Sequence, residues 1–84
     1  TKNIAIKKKI PLEKLPETAR VIKHFENELG NEGRILFRYS GTELILRLTA
    51  EGPDKKQLEK MVDDIEQQFK QELSRFNSDK LVES

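Results

Sequence analysis

Apolar residues recur along this chain in two rhythms, every second position and every third or fourth. Ile4, Ile6 and Ile10 share one parity, which predicts a half-buried strand over 3–10 with Lys8 as its one break. Pro11 lacks the N–H a ladder needs and should end it. Pro16 suits the first position of a helix, where its missing donor costs nothing. Val21, Ile22, Phe25 and Leu29 then follow at helical spacing, and Gly30 fits a C′ residue with positive φ. The first helix is therefore 16–29. Asn31–Gly33 reads as a turn. Residues 34–39 and 44–50 alternate, and the short link Ser40-Gly41-Thr42-Glu43 makes them a hairpin. Gly52-Pro53-Asp54 breaks the alternation, and Asp54 with Gln57 forms a capping-box signature. Leu58, Met61, Val62, Ile65, Phe69, Leu73 and Phe76 mark one face of a second helix over 55–76. Residues 77–84 hold few apolar groups and read as a frayed tail behind a single domain, 1–76. Two amphipathic helices need a common surface, and a small sheet supplies it. The predicted class is α+β, ordered β-α-β-β-α. It has a small, mostly antiparallel sheet of three or four strands with both helices on one face.

Hydrophobic pairing also fixes what the hairpin does with its charges. Ile35 and Phe37 should share the core face with Leu44, Leu46 and Leu48, since a one-residue slip would expose them all. The same parity brings Arg38 and Arg47 together on the other face, opposite or diagonal to each other near the turn. Like charges so placed destabilise a sheet, and a bound anion reverses the sign of that term. The link has suitable chemistry. Ser40 and Thr42 carry hydroxyls, Gly41 brings no Cβ, and consecutive N–H groups in a turn form a concave anion site. Two guanidinium groups nearly balance a phosphate monoester, which carries about −1.5 to −2 charges at pH 7. An ordinary Ser-Gly-Thr turn with exposed arginines is the plain alternative.

Composition narrows the rest. Eighty-four residues allow one small domain with a thin core, and no multidomain enzyme with its own buried cleft. Sixteen basic residues against 15 acidic leave a net charge of +1, which gives no field for generic nucleic acid. The absence of Cys excludes disulfide scaffolds and thiolate zinc sites and is compatible with the cytoplasm. No apolar run exceeds three residues, so no segment spans a membrane as a helix. A chain opening on Thr1 reads as a piece of something longer. Among other candidates, His24 has no second His or Cys with which to bind metal. Asp63 and Asp64 point apart on a helix. Lys7-Lys8-Lys9 reads as an edge guarded against aggregation, with an RNA or acidic-lipid contact as the alternative. The last turn of the stripe, at Phe76, is placed to pack on a neighbouring domain.

The run Gly33-Arg34-Ile35-Leu36-Phe37-Arg38-Tyr39-Ser40-Gly41-Thr42-Glu43, followed by Arg47 and Ala50-Glu51-Gly52, resembles the C-terminal domain of the α-D-phosphohexomutases. Among these it is most similar to the bacterial phosphoglucosamine mutase subgroup. The flanking Ile10–Glu17 and Glu28-Leu29-Gly30 are similar too, so the resemblance spans about residues 3–74. One departure is Leu44, where the family has Pro; proline would stiffen the loop exit.

The resemblance implies a fourth domain that grips the phosphate not being transferred while hexose 6- and 1-phosphates interconvert through a bisphosphate. Matched position by position, Arg38, Ser40, Gly41 and Thr42 form that grip, with Arg47 and Glu43 secondary and no catalytic residue in this domain. It further implies a phosphoserine, a Mg²⁺ site and sugar-reading residues in other domains. The partners are then a phosphorylated hexose and those domains, in a cytoplasmic enzyme. A phosphomannomutase or phosphoglucomutase domain is the near alternative. From other classes, a small RNA-binding module or a protein-interaction domain competes. Against the RNA reading stand Phe37 on the core parity and the missing basic stripe.

Overall fold

A computed structural model describes the backbone of residues 1–83 and the side chains of residues 1–75. Strands β1 (Lys2–Ala5), β2 (Arg34–Tyr39) and β3 (Ile45–Glu51) form one antiparallel sheet in the order β1-β3-β2. Helices α1 (Pro16–Leu29) and α2 (Lys55–Glu83) pack on one face of it. The central strand supplies Leu46 and Leu48, both fully buried. Ile4 and Ile35 flank them, and Ile22, Leu29, Met61, Ile65 and Phe69 cover them from the helices. Phe37 meets Phe69 edge-on at 5.6 Å between ring centroids, which joins β2 to α2.

The first strand is shorter than its parity suggested. It ends at Ala5, opposite Ile45, because β3 gives way there to the hairpin loop. One further bond, from Ile6 N–H to the Leu44 carbonyl at 3.0 Å, closes the ladder. The chain then bends at Lys7-Lys8, so Lys8 lies outside any strand, and Ile10 reaches the core after the bend. Pro11 opens a single 3₁₀ turn, Leu12–Lys14, rather than ending a strand. The third strand starts one residue late, at Ile45. Leu44 is accordingly no core residue: it is 51% exposed, since the ladder has ended and no helix covers the position. Asp54 caps α2, its carboxylate accepting from the N–H groups of Lys56 and Gln57. Helix α2 is assigned past residue 76. The tail expected over 77–84, and the packing expected of Phe76, lie outside the residues whose side chains are described.

Close approach explains one glycine. Gly33 has extended backbone, and a Cβ there would stand 2.0 Å from the Glu51 carbonyl oxygen. Gly30, with φ 58°, ends α1 as its pattern predicted.

Helix α1 lacks a cap of its own, because its N-cap residue is Leu15. Glu72, on α2, fills that role from across the helix pair. Its carboxylate accepts from Glu17 N–H at 3.0 Å, Thr18 N–H at 2.8 Å and the Thr18 hydroxyl at 2.7 Å. Burial pushes the Glu72 pKa up. The bonds from Thr18 and Glu17, with the nearby Arg75 charge, outweigh it and hold the carboxyl below its usual range. The side-chain bond from Lys2 likewise lowers Glu66. A carboxylate whose pKa falls on folding stabilises the fold above its unfolded pKa, and loses that contribution as pH drops through the folded value. Urea denaturation should therefore show stability declining below about pH 4.3, the ordinary Glu value. Glu72→Gln should cost about 1–3 kcal/mol at pH 7, the range for leaving a buried donor unmatched. It should also flatten the acid limb of the pH profile.

Candidate anion site at the β2–β3 hairpin

The ladder between β2 and β3 places Arg38 directly opposite Arg47. Both side chains are exposed and lie on the face away from the helices. The same face pairs Arg34 with Glu51 at the far end of the ladder, where Arg34 Nε donates to the carboxylate at 2.7 Å. One pair of opposite charges therefore sits at one end, and one pair of like charges at the loop end. Arg47 Nε makes a long contact of 3.4 Å to Asn3 Oδ1. Among the described residues, Arg38 has no carboxylate partner.

The loop runs from Ser40 to Leu44 and is closed by Ser40 N–H donating to the Ile45 carbonyl at 2.9 Å. Within it, the N–H groups of Thr42 and Glu43 converge on Ser40 Oγ at 3.3 and 3.2 Å. Ser40 thus acts as acceptor inside the loop, and its hydroxyl hydrogen is left to donate outward. Thr42 and Glu43 are exposed.

Gly41 matters for its missing Cβ and not for its backbone angle. Its φ is not positive, and an added Cβ would meet nothing within 4 Å, so the turn itself does not require glycine. The space above Gly41 is open to an anion approaching the backbone. Gly41→Ala should leave the melting temperature equal or slightly raised, in line with the ~0.4–1 kcal/mol gain at compatible sites. It should weaken phosphate binding by about tenfold. Calorimetry and a phosphate titration of the same sample would check both halves.

The segment after β1 walls the loop on one side. The Ile6 N–H holds the Leu44 carbonyl, the Lys9 ammonium donates to the Ser40 carbonyl, and the Tyr39 hydroxyl donates to the Ile10 carbonyl. Burial raises the Tyr39 pKa, so the phenol stays a donor. Lys9 and Tyr39 are positions that sequence reasoning missed. The only signal was the misfit of Lys8 in a strand pattern, which marked a bend and gave no contact.

The other candidates stay apart from the loop. His24 pairs with Glu28 at 3.4 Å on an exposed helix face. Asp63 faces Lys2, while Asp64 lines a groove between α1 and α2 with His24 and Phe25. A second groove lies along Thr1, Ala50 and Leu58. Neither of these grooves includes a loop residue. Among the described residues no three His, Asp or Glu side chains gather to hold a metal ion. Among the described residues, no helix is long and apolar enough to cross a membrane either.

Residues 2–68 match the family model described as phosphoglucomutase/phosphomannomutase, C-terminal domain. The chain is 44% identical over 71 residues to a phosphoglucosamine mutase of Anaeromyxobacter sp. (strain Fw109-5), covering 84% of this chain and 15% of that protein. It is 42% identical over 76 residues to one of Chlamydia trachomatis serovar D, covering 86% and 17%. It is 35% identical over 71 residues to one of Desulfovibrio desulfuricans, covering 84% and 16%. The chain thus spans about one sixth of the length of the curated relatives it matches.

Proposed function

The chain belongs to the phosphoglucomutase/phosphomannomutase family as a C-terminal domain, and on that footing we propose that it grips the non-reacting phosphate of a hexose phosphate within a phosphohexose mutase. The relatives' names favour a phosphoglucosamine mutase over its phosphomannomutase and phosphoglucomutase cousins. The observation that carries the reading is the like-charge pair Arg38–Arg47 beside a loop whose Ser40 hydroxyl, already accepting from the Thr42 and Glu43 amides, keeps its hydrogen free to donate outward. Such a pair is unfavourable in the empty fold and favourable around a dianion.

In that role Arg38 offers a planar fork to two phosphate oxygens. Ser40 and Thr42 add hydroxyl donors, and Gly41 leaves room for the ester to approach. Arg47 and Glu43 are secondary, Arg47 by balancing charge and Glu43 by orienting an arginine. A phosphate held here keeps the sugar in place while its other end reacts, so binding energy remote from the chemistry is used for positioning. Because the loop reads phosphate and not sugar, either end of a bisphosphate fits, and one phosphoserine elsewhere in the enzyme serves both half-reactions. Closure of this domain over the cleft would exclude water from that phosphoserine. A cytoplasmic location and a Mg²⁺ site in the other domains follow from the family resemblance alone.

The RNA-binding alternative has no support in the packing, because Phe37 lies on the core face and is engaged by Phe69. Replacing the C-terminal domain of a phosphoglucosamine mutase by this chain tests the reading. Turnover within about tenfold of the parent's is expected, the scale of a modest positional error. A folded chimera that binds no hexose phosphate would overturn it.

A further inference from the structure

Of the three consecutive lysines, one is singled out by its contact. Lys7 and Lys8 make no hydrogen bond among the described residues, whereas the Lys9 ammonium donates to the Ser40 carbonyl. Resting on the phosphate-grip reading, we propose that Lys9 is the third cation of the grip and selects a dianionic phosphate monoester over a monoanion.

Three features lead there. The backbone around Lys9 is held from both sides, by Ile6 N–H on the Leu44 carbonyl at 3.0 Å and by the Tyr39 hydroxyl on the Ile10 carbonyl. The backbone on either side of Lys9 is therefore tied to the loop, and its exposed side chain reaches the loop through Ser40. An ammonium carries three N–H donors and one of them meets Ser40, so the others are left to face an anion. Among the described residues no carboxylate pairs with it, so its charge is not neutralised.

Charge matching gives the specificity. Arg38 and Arg47 set against Glu43 leave one positive charge at the loop, which suits a monoanion. Lys9 raises the balance to two, which suits a monoester carrying about −1.5 to −2 at neutral pH. A compact ammonium on a flexible stem, unlike a guanidinium fork, follows the phosphate as the sugar is presented in either orientation.

Amide NMR titrations of the chain at pH 8 with methyl phosphate, a dianion there, and dimethyl phosphate, a monoanion, test this directly. The wild-type chain should prefer methyl phosphate. Lys9→Gln should weaken methyl phosphate by about five- to tenfold, the size of one lost charged contact, and dimethyl phosphate by less than about twofold. Lys9→Arg should restore most of the preference. If Lys9→Gln binds both ligands as the wild type does while Arg38→Ala loses both, the Lys9 assignment falls and the grip stands. If Lys9→Gln weakens both ligands equally and shifts the Ser40–Glu43 amides before any ligand is added, Lys9 only props the loop and the assignment falls as well. A wild-type chain that binds neither ester overturns the grip and Lys9 together.

Discussion

In a phosphohexose mutase carrying this domain, Arg38→Ala should lower kcat/KM by about 10²–10³, or roughly 2.7–4 kcal/mol of transition-state stabilisation. The size follows from what the guanidinium would supply in the proposed grip: two parallel charge-assisted bonds to one phosphate, made at a distance from the reacting carbon. Their loss leaves the sugar poorly held at its far end, so kcat should fall along with affinity. Arg38→Lys should recover only part of the loss, because an ammonium cannot reproduce the fork. Stability should move the other way. With no anion bound, removing Arg38 relieves its repulsion from Arg47 across the ladder. Melting of the ligand-free Arg38→Ala chain should therefore be unchanged or up to about 1 kcal/mol more stable, the scale of a cross-strand pair. A purely structural Arg38 would give the opposite: lower stability and intact kinetics. Steady-state kinetics and urea melts on the same variant separate the two.

Phe69→Ala should be the most destabilising single change in the core, costing about 3–5 kcal/mol by urea denaturation. Phe69 is fully buried and touches Phe37, which in turn meets Tyr39 edge-on at 5.5 Å. The three rings run from α2 along β2 to the start of the loop. A domain of this length has a total stability on the order of 4–13 kcal/mol, so the variant should be at best marginally folded. Phe69→Leu should cost less than half as much, since it keeps most of the volume. A cost under about 1 kcal/mol for Phe69→Ala would mean that α2 is not packed on the sheet at this point.

How far the fold was legible from sequence depended on whether neighbours in sequence were also neighbours in space. The α1 boundaries, the Gly30 terminus, the Asp54 cap and the Arg38–Arg47 juxtaposition all follow from local periodicity and register, and all are observed. The extent of β1 was not legible in that way. Its ladder stops where β3 becomes loop, a fact about the partner strand that the alternation of Ile4, Ile6 and Ile10 does not contain. Leu44 failed for the same reason: correct parity does not bury a residue beyond the end of the sheet. Glu72 gives no signal in the periodicity of its helix. Its burial depends on the uncapped start of α1, 54 residues away in sequence from the Thr18 it binds. At the site, the motif pointed to Arg38, Ser40, Gly41 and Thr42. The wall carrying Lys9 comes from a segment whose alternation read as strand, and it is tied in through backbone carbonyls, which any sequence supplies.

The central claim is that this hairpin grips phosphate, and the most direct measurement is amide NMR of the chain titrated with glucosamine 6-phosphate, with glucosamine as the neutral control. The account predicts saturable shifts concentrated at residues 38–43 plus Lys9, with an affinity on the order of millimolar because the rest of a cleft is absent. The neutral sugar should cause none of them. Equal shifts with both ligands, or an unmoved loop up to roughly tens of millimolar, would contradict it and leave the hairpin an ordinary turn.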